Sequence, residues 1–324
     1  MCANHFQILK NEDVPLDGLA GKSVSIIGYG NQGKAHALNL RDSGLDVVIG
    51  ARNPDKARED GFTVRSIADS SSSELVIIAL PDEIQKNIYT KDIAPNLIQG
   101  ATLGFIHGFA IHFGQIDPPA GIGVVMVAPK GPGITVRQKY LEGSGVLTLL
   151  AVERENSTQT ARELALGWAA GIGSSRLGVL ESTFKNETET DLFGEQSIIV
   201  GGLATLIQAS YETLVDGGYP PELAYIECCH EVKQVADIIH ERGIAEMMKA
   251  ISNTAEMGAY EAMDLLDDEH LRNKLRTLLN NVQDGSFAKR LVKNEIHNKR
   301  EELRNHEIEK VGKEIRSVMH QDDD

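Results

Sequence analysis

The chain is short of cysteine and of positive charge, and each shortage excludes something. Only three cysteines occur in 324 residues, Cys2 and the adjacent Cys228 and Cys229. They offer no disulfide framework, because neighbours in sequence rarely bond to each other within regular structure. This usage predicts a reducing, cytoplasmic setting. Lysine and arginine number 32 against 47 aspartates and glutamates, a net charge of -15. Nucleic acid and anionic membrane would be repelled over most of such a surface, so neither is expected as a partner. The first residues, among them Asn4, His5 and Gln7, lack the basic-then-apolar layout of a secretory signal. Long hydrophobic runs are missing too. The most apolar one, Ile198 to Ile207, is shorter than the roughly 20 residues a bilayer requires and is interrupted by Gly201, Gly202 and Thr205, so a buried helix is expected there. No internal repeat is visible, and the one biased segment, Ser70 to Ser73, reads as a loop.

What is present is an α/β pattern on a chain long enough for two domains. Short β-rich runs (Val24–Ile27, Val47–Ile49, Leu75–Leu80, Thr102–Ile106, Val124–Val127, Val146–Leu150) alternate with helical stretches. Runs apolar on both faces and separated by crossovers indicate a doubly wound parallel sheet covered on both sides. After Thr183 helical spacing continues to the end. The expected division is therefore a Rossmann-like dinucleotide domain over 1–182 and an all-α domain over 183–324. The charged stretch from Lys289 to Asp324 reads as a solvated helix with a frayed acidic end.

The first strand runs directly into Gly28-Tyr29-Gly30-Asn31-Gln32-Gly33, and Ala35, Ala37, Leu38 and Leu40 then recur with helical spacing. In this context the glycines permit a tight turn, a close approach to a pyrophosphate and close packing of helix on strand, with the helix N-terminus facing the phosphates. The next strand ends at Gly50 and is followed by Ala51-Arg52-Asn53-Pro54-Asp55-Lys56. Asp55 can accept hydrogen bonds from ribose hydroxyls and would repel a 2′-phosphate, while Arg52 can stack on adenine. The loop favours NADH, with NADPH as the alternative; Asn53-Pro54-Asp55 is also ordinary turn chemistry.

Glu187, Asp191 and Glu195 are spaced four apart, on one face of a helix. From Leu192 through Tyr211 the sole charged residue is Glu195, so a buried helix would leave that carboxylate in need of a cation. Glu227 and Glu231 repeat the spacing in an apolar context. Four oxygen donors on two helices suit hard ions such as Mg²⁺, two of them by charge; acidic rows on solvated helices are the competing reading.

The segments Gly28–Gly33, Ile106–Phe109, Ala128–Gly133, Glu187–Gln196, Glu227–Glu231 and Ile251–Glu256 together resemble ketol-acid reductoisomerase, in that family's order. The resemblance runs from about Val14 to at least Tyr260, in a chain whose length is like the short class I enzymes with a knotted helical domain. It implies Mg²⁺-dependent alkyl migration in 2-acetolactate or 2-aceto-2-hydroxybutyrate, followed by NAD(P)H reduction to a 2,3-dihydroxy acid in valine and isoleucine synthesis. It places two Mg²⁺ ions on Asp191, Glu195, Glu227 and Glu231, with Glu231 also relaying a proton. His107 and Lys130 match an active-site pair near the nicotinamide, and Ser252, otherwise read as a helix cap, matches the serine that holds the substrate carboxylate. Asp82, Glu83, Ile84, Gln85 and Gly133 match cofactor contacts. The resemblance also implies a homodimer with shared active sites and leaves room for a higher oligomer. One departure stands out: the loop after Gly50 is short and serine-free, without the serines that hold a 2′-phosphate.

Two other readings compete. A metal-independent β-hydroxyacid dehydrogenase or imine reductase would account for the glycine turn and for Lys130, and an NAD-sensing module for the turn alone. Neither accounts for the paired carboxylates, and both predict indifference to Mg²⁺.

Overall fold

The computed structural model describes residues 7–293 and 297–319. Cys2, Asn4, His5 and the acidic end at 321–324 lie outside these. The chain divides into two compact units, Met1–Thr190 and Asp191–Asp324.

The first unit is built on nine strands: β1 (Ile8–Leu9), β2 (Val24–Ile27), β3 (Val47–Gly50), β4 (Thr63–Arg65), β5 (Leu75–Ile78), β6 (Thr102–Phe105), β7 (Gly123–Pro129), β8 (Thr148–Arg154) and β9 (Val179–Glu181). They form one sheet in the order β1-β9-β8-β7-β6-β5-β2-β3-β4. From β4 to β7 every pairing is parallel. The run expected from Val146 to Leu150 is β8, which lies antiparallel to β7, so the sheet is mixed at that side. Three short strands, β1, β4 and β9, carried no apolar run long enough to read.

Central strands are buried on both faces, as parallel sheets require. In β5, Leu75 and Ile77 face a cluster centred on Trp168, while Val76 and Ile78 face one containing Phe105 and Phe184. Trp168, from the helix Ala161–Gly171, is fully buried, which contributes at most about 5 kcal/mol of transfer free energy. Its ring fits because β6 carries Gly104, where a Cβ would lie 2.7 Å from Trp168 Cζ3.

The second unit is helical throughout its described residues. Among its described residues one buried cluster joins Tyr211, Ala224 and Tyr225, packed against Ile308, Val311 and Ile315. Two expectations need correction. Within the described chain the run Ile198–Ile207 is not buried: Ile198, Ile199, Val200, Leu203 and Leu206 are exposed, because none of the described residues covers them. It also belongs to a helical stretch, Phe184–Asp216, that is long and apolar enough to cross a membrane by length and composition; judged alone, the ten-residue run looked too short. The charged C-terminal stretch, in turn, is not one solvated helix. Its described residues fall in the end of the helix Ser286–Val292 and in the helices His297–Asn305 and Glu307–Met319, the last of which carries Ile308, Val311 and Ile315 into the core.

Candidate active site

β2 ends at the glycine turn, and the helix Asn31–Asp42 begins within it. Gly28 has φ +103°, and a Cβ there would lie 2.6 Å from the Ala79 carbonyl oxygen, so only glycine lets the chain leave β2 past β5. At Gly33 a Cβ would sit 2.4 Å from the Gly28 carbonyl oxygen, whereas at Gly30 it would meet nothing within 4 Å. The turn is thus closed on its packing side and open on its Gly30 side, the shape a pyrophosphate at a helix N-terminus needs. Gln32 Nε2 donates to the Gly131 carbonyl at 2.9 Å. Gly133 opens the helix Gly133–Leu141 so close to the turn that a Cβ would be 2.3 Å from Asn31 O. These contacts join the glycine turn to the segment that follows β7.

Arg52 and Asp55 are exposed, Asp55 as the first residue of the helix Asp55–Glu59. Asp82, Glu83, Ile84 and Gln85 form the first turn of the helix Asp82–Ile88 after β5. Within it Gln85 is buried and donates to Leu80 O and Asp82 Oδ1, both at 2.9 Å, while its own Oε1 is buried without a partner. A cluster not anticipated from the sequence lines the outer side of the turn. Tyr29 donates its hydroxyl to Asp60 at 2.8 Å, and Lys34 pairs with the same carboxylate at 2.7 Å. The hydrogen bond from Lys34, with help from Tyr29 and Arg41, holds Asp60 below the ordinary aspartate range. A concavity of about 340 Å³ lies against Tyr29, Gly30, Asn31, Lys34, Lys56 and Glu59.

His107 follows β6 and Lys130 follows β7, both at the carboxyl edge of the parallel strands, where doubly wound sheets bind ligands. What unites them is Glu187, 1% exposed on the helix Phe184–Gly194. Its Oε1 lies 3.0 Å from His107 Nδ1 and accepts from Lys130 Nζ at 2.8 Å; its Oε2 accepts from the Gly108 amide at 3.0 Å. Burial by itself would raise the carboxyl's pKa, yet the His107 and Lys130 contacts outweigh it and bring the value down to about 2. An ionised carboxylate only accepts, so His107 carries a proton on Nδ1. Gly108 permits the approach: a Cβ there would be 2.4 Å from Thr188 Oγ1. The sequence displayed Glu187 as the first member of an acidic row, but nothing in the spacing separated it from Asp191 and Glu195.

Asp191 is half-buried on the same helix, one turn beyond Glu187. Glu195 opens a π-helical turn, Glu195–Ile199; Glu227 lies in another, Ile226–His230, and Glu231 directly follows it. Such turns are rare and concentrate at functional sites. Glu195, Glu227 and Glu231 are exposed, and among the described residues no cluster of potential ligands gathers these three. The donor set is all oxygen and suits hard divalent ions. Cys228 and Cys229 are free thiols. Ser252 caps the helix Asn253–Leu266, accepting from the Ala255 amide at 3.2 Å.

Comparison with known proteins accounts for both units. Residues 18–178 match the acetohydroxy acid isomeroreductase NADPH-binding domain, and residues 184–321 match the ketol-acid reductoisomerase C-terminal domain. An NADH-preferring ketol-acid reductoisomerase from an uncultured archean is 42% identical, over 97% of this chain and 100% of that one, with a TM-score of 0.94. Fold alone is shared with a semialdehyde dehydrogenase NAD-binding protein from Cupriavidus necator, at 18% identity over 81% of this chain and 99% of the other, TM-score 0.62. The same holds for a Plasmodium falciparum pyrroline carboxylate reductase, at 14% identity over 81% and 97%, TM-score 0.51. With both halves matched in order and the full length aligned, the chain belongs to the ketol-acid reductoisomerase family.

Proposed function

We propose that the chain converts 2-acetolactate or 2-aceto-2-hydroxybutyrate to 2,3-dihydroxy acids by alkyl migration and NAD(P)H reduction. The observation that carries this reading is Glu187 gripping His107 and Lys130 at adjacent strand ends, next to a glycine turn bonded to Gly131. Asp191, Glu195, Glu227 and Glu231 would hold two Mg²⁺ ions. When bound, these would act as Lewis acids on the ketone and the neighbouring hydroxyl.

The chain's own groups set the rest. Glu187 stays ionised and aims the Lys130 ammonium, which can donate to an oxygen that gains negative charge as the ketoacid is reduced. The Glu187–His107 contact fixes the tautomer of the imidazole and its direction. Glu231 can relay a proton as well as bind metal, and Ser252 would hold the substrate carboxylate. Coenzyme binding rests on the turn Gly28–Gly33, on Asp82–Gln85 and on Gly133. With Asp55 and no serine after β3, NADH is preferred, as in the archaeal relative. On this reading 1–182 binds coenzyme and 183–324 binds metal and partner.

A homodimer is part of the proposal. The uncovered apolar positions on Ile198–Leu206, with Met257, Met263, Leu265 and Leu266, are the surface a second copy would bury. Asp191 and Glu195 of one copy would then meet Glu227 and Glu231 of the other. The acids flanking this apolar stretch favour a second copy over lipid as its cover.

The test mixes protein, 2-acetolactate and NADH or NADPH, with and without Mg²⁺. Coenzyme consumption that requires the metal is expected. No consumption in its presence would refute the reading, and consumption without metal would favour a dehydrogenase. Sedimentation at micromolar concentration should return twice the chain mass of 35.3 kDa.

A further inference from the structure

The chain carries a net charge of -15, yet its C-terminal helices concentrate cations at one place. A concavity of about 430 Å³ between the helices His297–Asn305 and Glu307–Met319 is lined by Arg300, Arg304, Lys310, Lys313 and Arg316, with Leu303 and a single acid, Glu309. The segment does not lack carboxylates, since Glu301, Glu302, Glu307 and Glu314 lie in it as well. Two of them lie elsewhere: Glu302 pairs with Lys299 at 3.1 Å, and Glu314 lines the groove on the other side of the last helix, while Glu301 pairs with the lining Arg304 at 3.3 Å. Among the described residues, Arg300, Lys310 and Lys313 have no ion-pair partner. With Arg304 paired to Glu301 and Arg316 to Glu309 at 3.7 Å, the cations left over at one concavity are Arg300, Lys310 and Lys313; they repel one another, which costs stability unless an anion is shared between them.

We infer that this concavity is a binding site for a small ligand bearing two or more phosphate groups. A single phosphate would reach few of the five cations. An extended nucleic acid would run beyond the patch onto an acidic surface. Arginine forks and lysine ammonium groups are the usual partners of phosphate oxygens, and Leu303 gives the ligand's organic part an apolar contact.

The site has a structural route to the proposed metal ligands, and in that respect the inference rests on the reading above. Arg316 lines the concavity and donates through Nη1 to the Tyr225 hydroxyl at 2.7 Å. Tyr225 directly precedes the π-helical turn Ile226–His230 that carries Glu227. Gly312 lies so near the same ring that a Cβ would be 2.5 Å from Tyr225 Cε2. A phosphate that draws Arg316 toward itself loosens the hold on Tyr225 and on the turn behind it.

The experiment uses the whole protein saturated with NADH, so that the dinucleotide site is filled, and titrates fructose 1,6-bisphosphate by calorimetry without metal. One binding event is expected. It should weaken at least about tenfold in the double variant Lys310→Gln/Lys313→Gln, a loss of about 1.4 kcal/mol, and stay unchanged in Lys299→Gln, whose cation lies outside the concavity. Absence of binding, or equal binding to both variants, would overturn the site. Tighter, steeply salt-dependent binding of a DNA duplex would overturn the ligand class. Metal dependence of turnover is then measured with and without the bisphosphate at constant free Mg²⁺. A shift in half-saturation present in the native chain and absent in the double variant supports the route through Arg316, and an unchanged value overturns that route while leaving the calorimetric result to stand by itself.

Discussion

Replacing Glu187 by glutamine removes one charge and one acceptor while keeping the side chain's shape, so it tests the site with little change in packing. The native carboxylate accepts from four donors, His107 and Lys130 on Oε1 and the Gly108 amide and, at 3.4 Å, the Thr188 hydroxyl on Oε2. An amide has a single acceptor oxygen, so at least one donor at this 1% exposed position faces an N–H instead. Linkage gives the size of the loss. A carboxyl whose pKa falls from 4.5 to about 2 on folding contributes about 3 kcal/mol of stability near neutrality. Because the folded value is the depressed one, that stability is fully present above pH 4.5 and lost as pH falls through the range down to about 2. Urea unfolding of the native chain and of Glu187→Gln should therefore differ by about 3 kcal/mol at pH 7, with the gap clearly narrower by pH 3.5. Turnover in the variant should fall by about a hundredfold or more, since Lys130 and His107 both lose their positioning partner. A stability gap that does not change with pH, or a variant with native turnover, would refute the assignment of Glu187 as the ion that organises this site.

Three further outcomes follow from single positions. Asp55→Ser should move the NADPH/NADH ratio of kcat/KM upward by about tenfold, or about 1.4 kcal/mol, in initial-rate assays; an unchanged ratio would mean the loop after β3 does not read the 2′ position. His36 is fully buried, accepts from Trp168 Nε1 at 3.0 Å, and has its pKa lowered to about 3 by desolvation. The unfolded chain therefore takes up the proton first, and stability should fall by up to about 1.4 kcal/mol per unit as pH drops below 6.5; His36→Asn should flatten the urea midpoint between pH 6.5 and 5, and an equally steep variant would place that sensitivity elsewhere. Gly104→Ala forces a Cβ to 2.7 Å from the Trp168 ring and should cost about 1–3 kcal/mol in calorimetric unfolding; a neutral result would show the ring can shift.

Much of this was legible in the chain, and the legible parts share a physical cause. Strand runs such as Val24–Ile27 and Leu75–Ile78 are apolar on both faces because their sheet is covered on both sides, and local hydropathy records that directly. The turn Gly28–Gly33 is equally local: its glycines answer to contacts with Ala79 and with one another. Composition, spacing and motif order were enough to specify the fold class, the dinucleotide and the family. The rest depended on contacts between residues far apart in sequence. Glu187 reads as one acid of a row until its helix sets it against His107 and Lys130, 80 and 57 positions away. Asp60 shows its hold on Tyr29 and Lys34 only once the helix Asp55–Glu59 ends beside the glycine turn. Ile198–Leu206 was apolar in the sequence, but whether that surface is covered within its own chain was decided only by tertiary packing, because hydropathy states that a surface must be covered and not by what. The basic concavity of the C-terminal helices is of the same kind, since interleaved charges separate onto different faces only when the helices form and pair.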